Sequence, residues 1–90
     1  MLDWRASASS RPSESRLPRI VYTSHAEDRM RQRRISRVEV RLTLLRPAGS
    51  ARLFDEPDKW EYRRQIGGRT VVVIVYREGN RFKVKAVYSS

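Results

Sequence analysis

The chain has 90 residues, which is enough for one domain and too few for two. It contains no cysteine and one histidine, so a disulfide scaffold, a thiolate metal site and a cysteine nucleophile are excluded, and we expect neither a metal nor another cofactor. The formal net charge is +10, and all but three of the 20 basic residues are Arg, which favours a polyanion such as RNA as the partner.

Two other origins of this charge fit less well. A GC-rich genome would produce a high ratio of Arg to Lys, but it would not produce the excess of positive charge. An anionic membrane surface would be met by a long basic amphipathic helix, and none is visible. No apolar run approaches the ~18 residues of a membrane span, and the start of the chain lacks the apolar core of a signal peptide. We therefore expect a cytoplasmic protein without membrane contact.

The chain begins with a segment unlike the rest. Residues 1–18 are rich in Ser and Pro, carry scattered charge and show no periodicity. This composition predicts a disordered basic tail, so that residues 19–90 form the single domain. Within that domain, Ile20-Val21-Tyr22 is apolar and β-prone, which indicates a brief edge strand.

Two helix starts are marked by the spacing of Ser and Glu. Ser24 and Glu27 form one Ser-x-x-Glu capping box, and Ser36 and Glu39 form a second. The second helix carries a wide apolar stripe suited to packing on a core, whereas the first has a narrow apolar side and a basic flank. The predicted helices cover about residues 25–33 and 37–46.

The second half of the chain has the alternation that is typical of β-strands. Gly67-Gly68 and Gly79-Asn80 are two-residue turn signals, and the β-branched run between them predicts a central strand. The sequence therefore predicts an α+β domain in which two N-terminal helices pack on an antiparallel sheet of three or four strands.

If both hairpins have two-residue loops, side-chain alternation divides the sheet into two faces. One face is predicted to pack on the helices and includes Trp60, Tyr62, Val71, Val73, Ala86 and Tyr88. The other is predicted to have an apolar centre, which includes Tyr76 and Val87, and a rim of cations formed by Arg63, Lys83 and Lys85. A face with cations and an aromatic ring suits nucleic acid, although the solvated face of a small sheet commonly carries such residues as well.

His25, Arg29 and Arg33 stand four residues apart, so on a helix they form one stripe. An imidazole can act as an acid or a base near neutral pH, and neighbouring guanidinium groups can hold a scissile phosphate. Cleavage of RNA by its own 2′-hydroxyl needs these groups and no metal. The structural alternative is a histidine that packs beside the helix start and bonds a carbonyl group.

The run from Tyr22 to Ser36 resembles the opening of a small bacterial family catalogued as domain of unknown function 4258. The shared pattern is His-Ala, Arg-Met and Ile-Ser, found here at His25-Ala26, Arg29-Met30 and Ile35-Ser36. The strands that follow match in outline, and the resemblance covers about residues 20–88. Arg34 departs from the pattern, which often has Gly there, a residue suited to a left-handed turn.

This family resembles the RelE- and BrnT-like toxins, whose fold is a helical pair on an antiparallel sheet and which are often ribonucleases of toxin–antitoxin systems. The resemblance implies a metal-independent endoribonuclease with RNA, including ribosome-associated mRNA, as substrate and an acidic antitoxin as partner. It supports a catalytic role for the stripe of His25, Arg29 and Arg33, and it implies that Lys83, Lys85 and Tyr88 correspond to the sheet cations and C-terminal Tyr that assist cleavage in RelE-like toxins. Arg63 and Tyr76, on the predicted cationic face, complete the residues expected to contact RNA. The alternative is a non-catalytic module that binds nucleic acid or the ribosome, because such binding needs the same charge but no histidine.

Overall fold

The computed structural model describes residues 18–90, so the tail predicted for residues 1–18 lies outside the described residues except for Pro18. Two helices and five strands follow in chain order: β1 (Arg19–Tyr22), α1 (Ser24–Arg33), α2 (Arg37–Leu45), β2 (Gly49–Leu53), β3 (Lys59–Ile66), β4 (Arg69–Glu78) and β5 (Arg81–Ser89). Neither helix of this part of the chain is both long and apolar enough to cross a membrane.

Both predicted helices are present, and one of the two predicted caps is confirmed. Ser36 accepts a hydrogen bond from the Glu39 amide while the Glu39 carboxylate accepts one from the Ser36 amide, which is the predicted capping box. At α1 the cap is Thr23 and not Ser24: its hydroxyl accepts from the Ala26 amide and donates to the Val84 carbonyl of β5. Thr23 therefore both caps α1 and attaches its start to the sheet.

The predicted three- or four-stranded antiparallel sheet is wrong, because the sheet has five strands in the order β1-β5-β4-β3-β2. β1 precedes the helices, so these are not N-terminal, and it pairs parallel to β5, which makes the sheet mixed. The short segments 19–22 and 49–53 both pair, at opposite edges of the sheet. Each segment is too short for its sequence to indicate a partner, and β1 is separated from β5 by both helices and three strands.

The two predicted hairpins have the expected loops, but only the first keeps the expected register throughout. Gly67 and Gly68 have φ of 57° and 84°, as a two-residue type I′ turn requires. In the β4–β5 hairpin a β-bulge follows Val84, so that Val87 pairs with Val73 and Tyr88 pairs with Val72. The predicted positions of Ala86, Val87 and Tyr88 are therefore wrong: Val87 is fully buried on the helix side, and Ala86 and Tyr88 belong to the opposite face.

The helices cover one face of the sheet and enclose a valine-rich core. Its residues are Ala26, Met30, Ile35, Val40, Leu44, Tyr62, Val71, Val73, Val75, Val84 and Val87. Arg69, on the same face, donates to the carbonyls of Arg33 and Arg34 and pairs with the Glu39 carboxylate. One guanidinium group therefore joins the end of α1, the start of α2 and the sheet.

Candidate nucleic-acid interface

The sheet face turned away from the helices, here called the open face, carries all five residues predicted to bind RNA. Lys83 pairs with Tyr76 across β4 and β5, and Tyr88 and Arg63 both pair with Val72, from opposite sides. Lys85 occupies the bulge, and its Nζ lies 5.5 Å from the centroid of the Tyr76 ring. The register thus places Arg63, Tyr76, Lys83, Lys85 and Tyr88 on one surface.

The centre of the open face is apolar and is not covered by either helix. Val72 and Ile74 of β4 are half-buried there, between the cations of β3 and those of β5. The Tyr88 side chain beside them is 42% exposed. Proteins that bind single-stranded nucleic acid use exposed aromatic rings to stack on the bases and nearby cations to neutralise the phosphates.

α1 lies alongside the second half of β5. Thr23, just before the helix, bonds the Val84 carbonyl, and the carbonyl of Arg33, at its end, accepts from Arg69 near the far end of the sheet. One flank of α1 faces α2, as the ion pair of Glu27 with Arg37 shows. His25, Arg29 and Arg33, here called the α1 stripe, occupy the other flank, next to the exposed edge of β5.

The α1 stripe and the open face meet at the end of β5. The guanidinium carbon of Arg33 lies 6.0 Å from the centroid of the Tyr88 ring, within the range of a cation–π contact. Arg29 is half-buried, and His25 is exposed at the start of the helix. The bulge is what creates this junction, because without it the Tyr88 side chain would point into the core.

His25 is neither buried nor engaged. Within residues 18–90 its imidazole makes no hydrogen bond, ion pair or ring contact, so the structural alternative of a histidine side chain bonded to a carbonyl group is wrong. Among the described residues no carboxylate bonds the ring, which distinguishes it from a histidine held in place by a second residue. The imidazole is therefore accessible to a ligand.

A cluster that the sequence did not predict lies at one end of the open face. The Glu56 carboxylate accepts a hydrogen bond of 2.6 Å from the Tyr76 hydroxyl and lies 3.3 Å from Lys85 Nζ and 3.4 Å from Lys59 Nζ. Lys59 also pairs with Asp55 at 2.8 Å. The acidic residues of the β2–β3 loop are visible in the sequence, but the face toward which this loop turns is not.

These contacts fix the charges of the cluster. The hydrogen bonds to Tyr76 and then to Glu56 raise the pKa of Lys85 well above its usual value. The hydrogen bonds from Tyr76 and Lys85 lower the pKa of Glu56. Lys85 and Glu56 therefore remain oppositely charged at neutral pH.

The cations of the site fall into two groups. Arg63 is paired with Glu61 at 2.9 Å, and Lys59 and Lys85 are paired as described. Within residues 18–90, no carboxylate pairs with Arg29, Arg33 or Lys83. The unpaired cations therefore lie along β5 and the adjoining flank of α1, where an added polyanion would meet the fewest competing carboxylates.

Positive charge is not confined to the open face. Arg19, Arg37 and Arg41 line a groove on the helix side, between β1 and α2, and Val38 beside them is 74% exposed. No three Asp, Glu or His side chains of the described part of the chain come together as metal ligands would.

The sequence matches the family described as Domain of unknown function (DUF4258) over residues 22–89, a stretch that includes both helices and the strands β2 to β5. The resemblance predicted from the His-Ala, Arg-Met and Ile-Ser pattern is thereby confirmed. A search of curated proteins and a search of solved structures find no match to the chain. The relation to RelE- and BrnT-like toxins, which none of these comparisons tests, stays a prediction.

Proposed function

This chain belongs to the DUF4258 family, whose description names no activity, and from the geometry of its surfaces we propose that it is a cytoplasmic RNA-binding protein of the toxin type that cleaves RNA. The observation that carries the proposal is the contact of Arg33 with Tyr88, which joins the α1 stripe to the open face. Phosphates would lie against Arg29, Arg33 and Lys83, and bases would stack on the exposed ring of Tyr88.

The proposed chemistry uses the RNA itself as nucleophile. A base removes the proton of the 2′-hydroxyl, the 2′-oxygen attacks the adjacent phosphorus, and the bond to the 5′-oxygen breaks as an acid protonates that oxygen. The products are a 2′,3′-cyclic phosphate and a free 5′-hydroxyl. His25 would serve as the acid or the base, and Arg29 and Arg33 would stabilise the charge on the phosphate.

Cleavage is tested with a 5′-labelled single-stranded RNA and the full chain. We expect His25→Ala to slow cleavage by about 10²- to 10⁴-fold with little change in RNA affinity, whereas Arg33→Ala should weaken binding and cleavage together. Gln32→Ala, an exposed position next to the stripe on α1, is the control. Cleavage by His25→Ala at the wild-type rate would remove His25 from the mechanism.

One observation favours a second candidate, a binding module without catalysis. His25 has no partner within the described residues that would orient its ring, and a general acid or base is normally held in place. If the wild-type chain binds RNA and leaves it intact, with the His25→Ala variant binding equally well, this second function is the correct one.

We also propose an acidic protein of the antitoxin kind as a partner. The groove lined by Arg19, Arg37 and Arg41 lies on the helix side, and Val38 offers it an exposed apolar contact. Carboxylates with an apolar side chain between them would complement this groove. Substituting both Arg19 and Arg41 by Glu should abolish binding of such a partner. RNA affinity should fall only by the amount expected from the lower net charge of the variant.

A further inference from the structure

The Glu56 carboxylate lies among three hydrogen-bond donors on the open face. We propose that Lys59, Tyr76 and Lys85 form a phosphate site on the open face, and that the Glu56 carboxylate occupies this site as an internal competitor. The inference rests on the proposed function in so far as the phosphate belongs to RNA.

The first argument is the convergence of three donors on one atom. Glu56 Oε1 lies 2.6 Å from the Tyr76 hydroxyl, 3.3 Å from Lys85 Nζ and 3.4 Å from Lys59 Nζ. Two ammonium groups and a hydroxyl group around a single oxygen are the donors that a phosphate oxygen would take. The carboxylate oxygen therefore stands in the position of a ligand atom.

The second argument is that the three donors belong to the sheet, whereas the acceptor belongs to a loop. Lys59 and Tyr76 pair directly across β3 and β4, and Lys85 is held in the bulge of β5, so all three belong to the sheet. Glu56 belongs to the loop 54–58, and its side chain is 44% exposed. It can turn away into solvent without any change in the sheet, which leaves the donors in place.

The third argument is that Lys59 does not need Glu56 for neutralisation. Its ammonium group is already 2.8 Å from the Asp55 carboxylate, and the Lys59 side chain is only 12% exposed. When Glu56 leaves, two ammonium groups face one remaining carboxylate, so the site keeps one positive charge. A phosphodiester, which carries one negative charge, would replace Glu56 at that position.

The test compares Glu56→Gln with a matched control. Glu78→Gln removes the same charge from an open-face position on β4, where the carboxylate pairs with Arg81 and not with the three donors. We expect Glu56→Gln to bind a labelled RNA oligomer about tenfold more tightly than the wild type, and Glu78→Gln no more than about twofold. Replacing Lys85 by Gln in the Glu56→Gln chain should cancel the gain.

Two further measurements keep the outcome decisive. Inorganic phosphate, titrated while the Tyr76 ring resonances are followed, should shift them in Glu56→Gln and not in Glu78→Gln. Glu56→Asp keeps the charge but withdraws the carboxylate by one methylene, so it should show part of the gain if Glu56→Gln fails to fold. Equal gains for Glu56→Gln and Glu78→Gln, or no gain for Glu56→Gln and Glu56→Asp, would overturn the inference.

Failure of the inference and failure of the proposed function give different results. If the wild type binds RNA and loss of Glu56 has no specific effect, the proposed function stands and the internal competitor does not. If no variant binds RNA and Glu56→Gln still binds phosphate at Tyr76, the phosphate site stands and RNA is not its source.

Discussion

Arg34 adopts a backbone conformation that Gly would adopt at lower cost. Its φ of 55° and ψ of 47° lie in the left-handed region, and its amide satisfies the carbonyls at the end of α1. The carbonyl of Arg34 accepts from Arg69, which helps to hold this conformation. The departure from the Gly of the family pattern therefore does not change the path of the chain, but it leaves strain at this position.

We predict that Arg34→Gly stabilises the protein. Removing the side chain relieves the left-handed strain, and the greater freedom of Gly in the unfolded chain offsets part of the gain, which leaves about 0.5–1 kcal/mol. The melting temperature should rise by about 4–8 °C per kcal/mol. Gln32→Gly, inside α1, is the control and should lower it. A lower melting temperature for Arg34→Gly would contradict the prediction.

Glu39 makes the stability of the fold dependent on pH. The hydrogen bond from the Ser36 amide lowers the pKa of Glu39 most, burial opposes this effect, and Arg69 lowers the pKa further. A carboxyl group whose pKa is lower in the folded state than in the unfolded state stabilises the fold at pH values above its unfolded-state pKa. This stabilisation is lost as the pH falls through the folded-state pKa.

We therefore predict that the free energy of unfolding of the wild type falls between pH 5 and pH 3 more steeply than that of Glu39→Gln. At pH 6 the variant should be less stable by about 1 kcal/mol, and the two curves should approach each other in acid. Urea unfolding at a series of pH values measures both. Parallel curves would show that Glu39 does not carry the acid dependence.

At the scale of elements, the bulge of β5 decides which side chains are available to a ligand. One extra residue after Val84 reverses the alternation, so Val87 turns into the core and Tyr88 turns outward. The extra residue is Lys85, which is neither Gly nor Pro, and a polar residue between Val84 and Ala86 also fits a regular alternating strand. A prediction based on strict alternation therefore assigns the residues after Val84 to the wrong faces. The bulge is revealed only by the pairing of β5 with β4 in the structure.

The reversed alternation makes a testable distinction between neighbours. Val87→Ala should lower the free energy of unfolding by about 2 kcal/mol, because Val87 is fully buried. Tyr88→Ala should cost less than about 1 kcal/mol, since its ring lies largely outside the core. Strict alternation predicts the opposite order, so denaturant unfolding of the two variants decides between the registers.

Other elements show what local sequence can and cannot predict. Capping residues and turn residues act over a few positions. The second helix start could therefore be predicted from Ser36 and Glu39, and the two hairpin loops from Gly67-Gly68 and Gly79-Asn80. The partner of β1 is distant in sequence: Thr23, the residue that follows β1, bonds Val84 of β5 at a sequence separation of 61. The α1 stripe could be predicted from the spacing of its residues. Its contact with Tyr88 could not, because it depends on the bulge, and the Glu56 cluster could not, because it depends on the direction in which the β2–β3 loop turns.

At the scale of the whole molecule, positive charge is present on both sides of the sheet, so RNA affinity alone would not test whether the open face is the binding surface, as we propose. If about five cations contact phosphate, the logarithm of the binding constant should fall with the logarithm of salt concentration with a slope of about −3.5. Arg33→Ala should reduce the slope by about 0.7, and Arg41→Ala, on the helix side, should leave it unchanged. Fluorescence anisotropy with labelled RNA at several salt concentrations gives these slopes.

The pairing of β1 with β5 joins segments that are synthesised at different times. α1 leaves the ribosome early, but the strand along which it packs is residues 81–89, which emerge last among the described residues. A nascent chain therefore lacks both the junction at Tyr88 and the cations of β5. If RNA binds the open face as proposed, a chain whose β5 has not yet emerged would lack the complete binding surface.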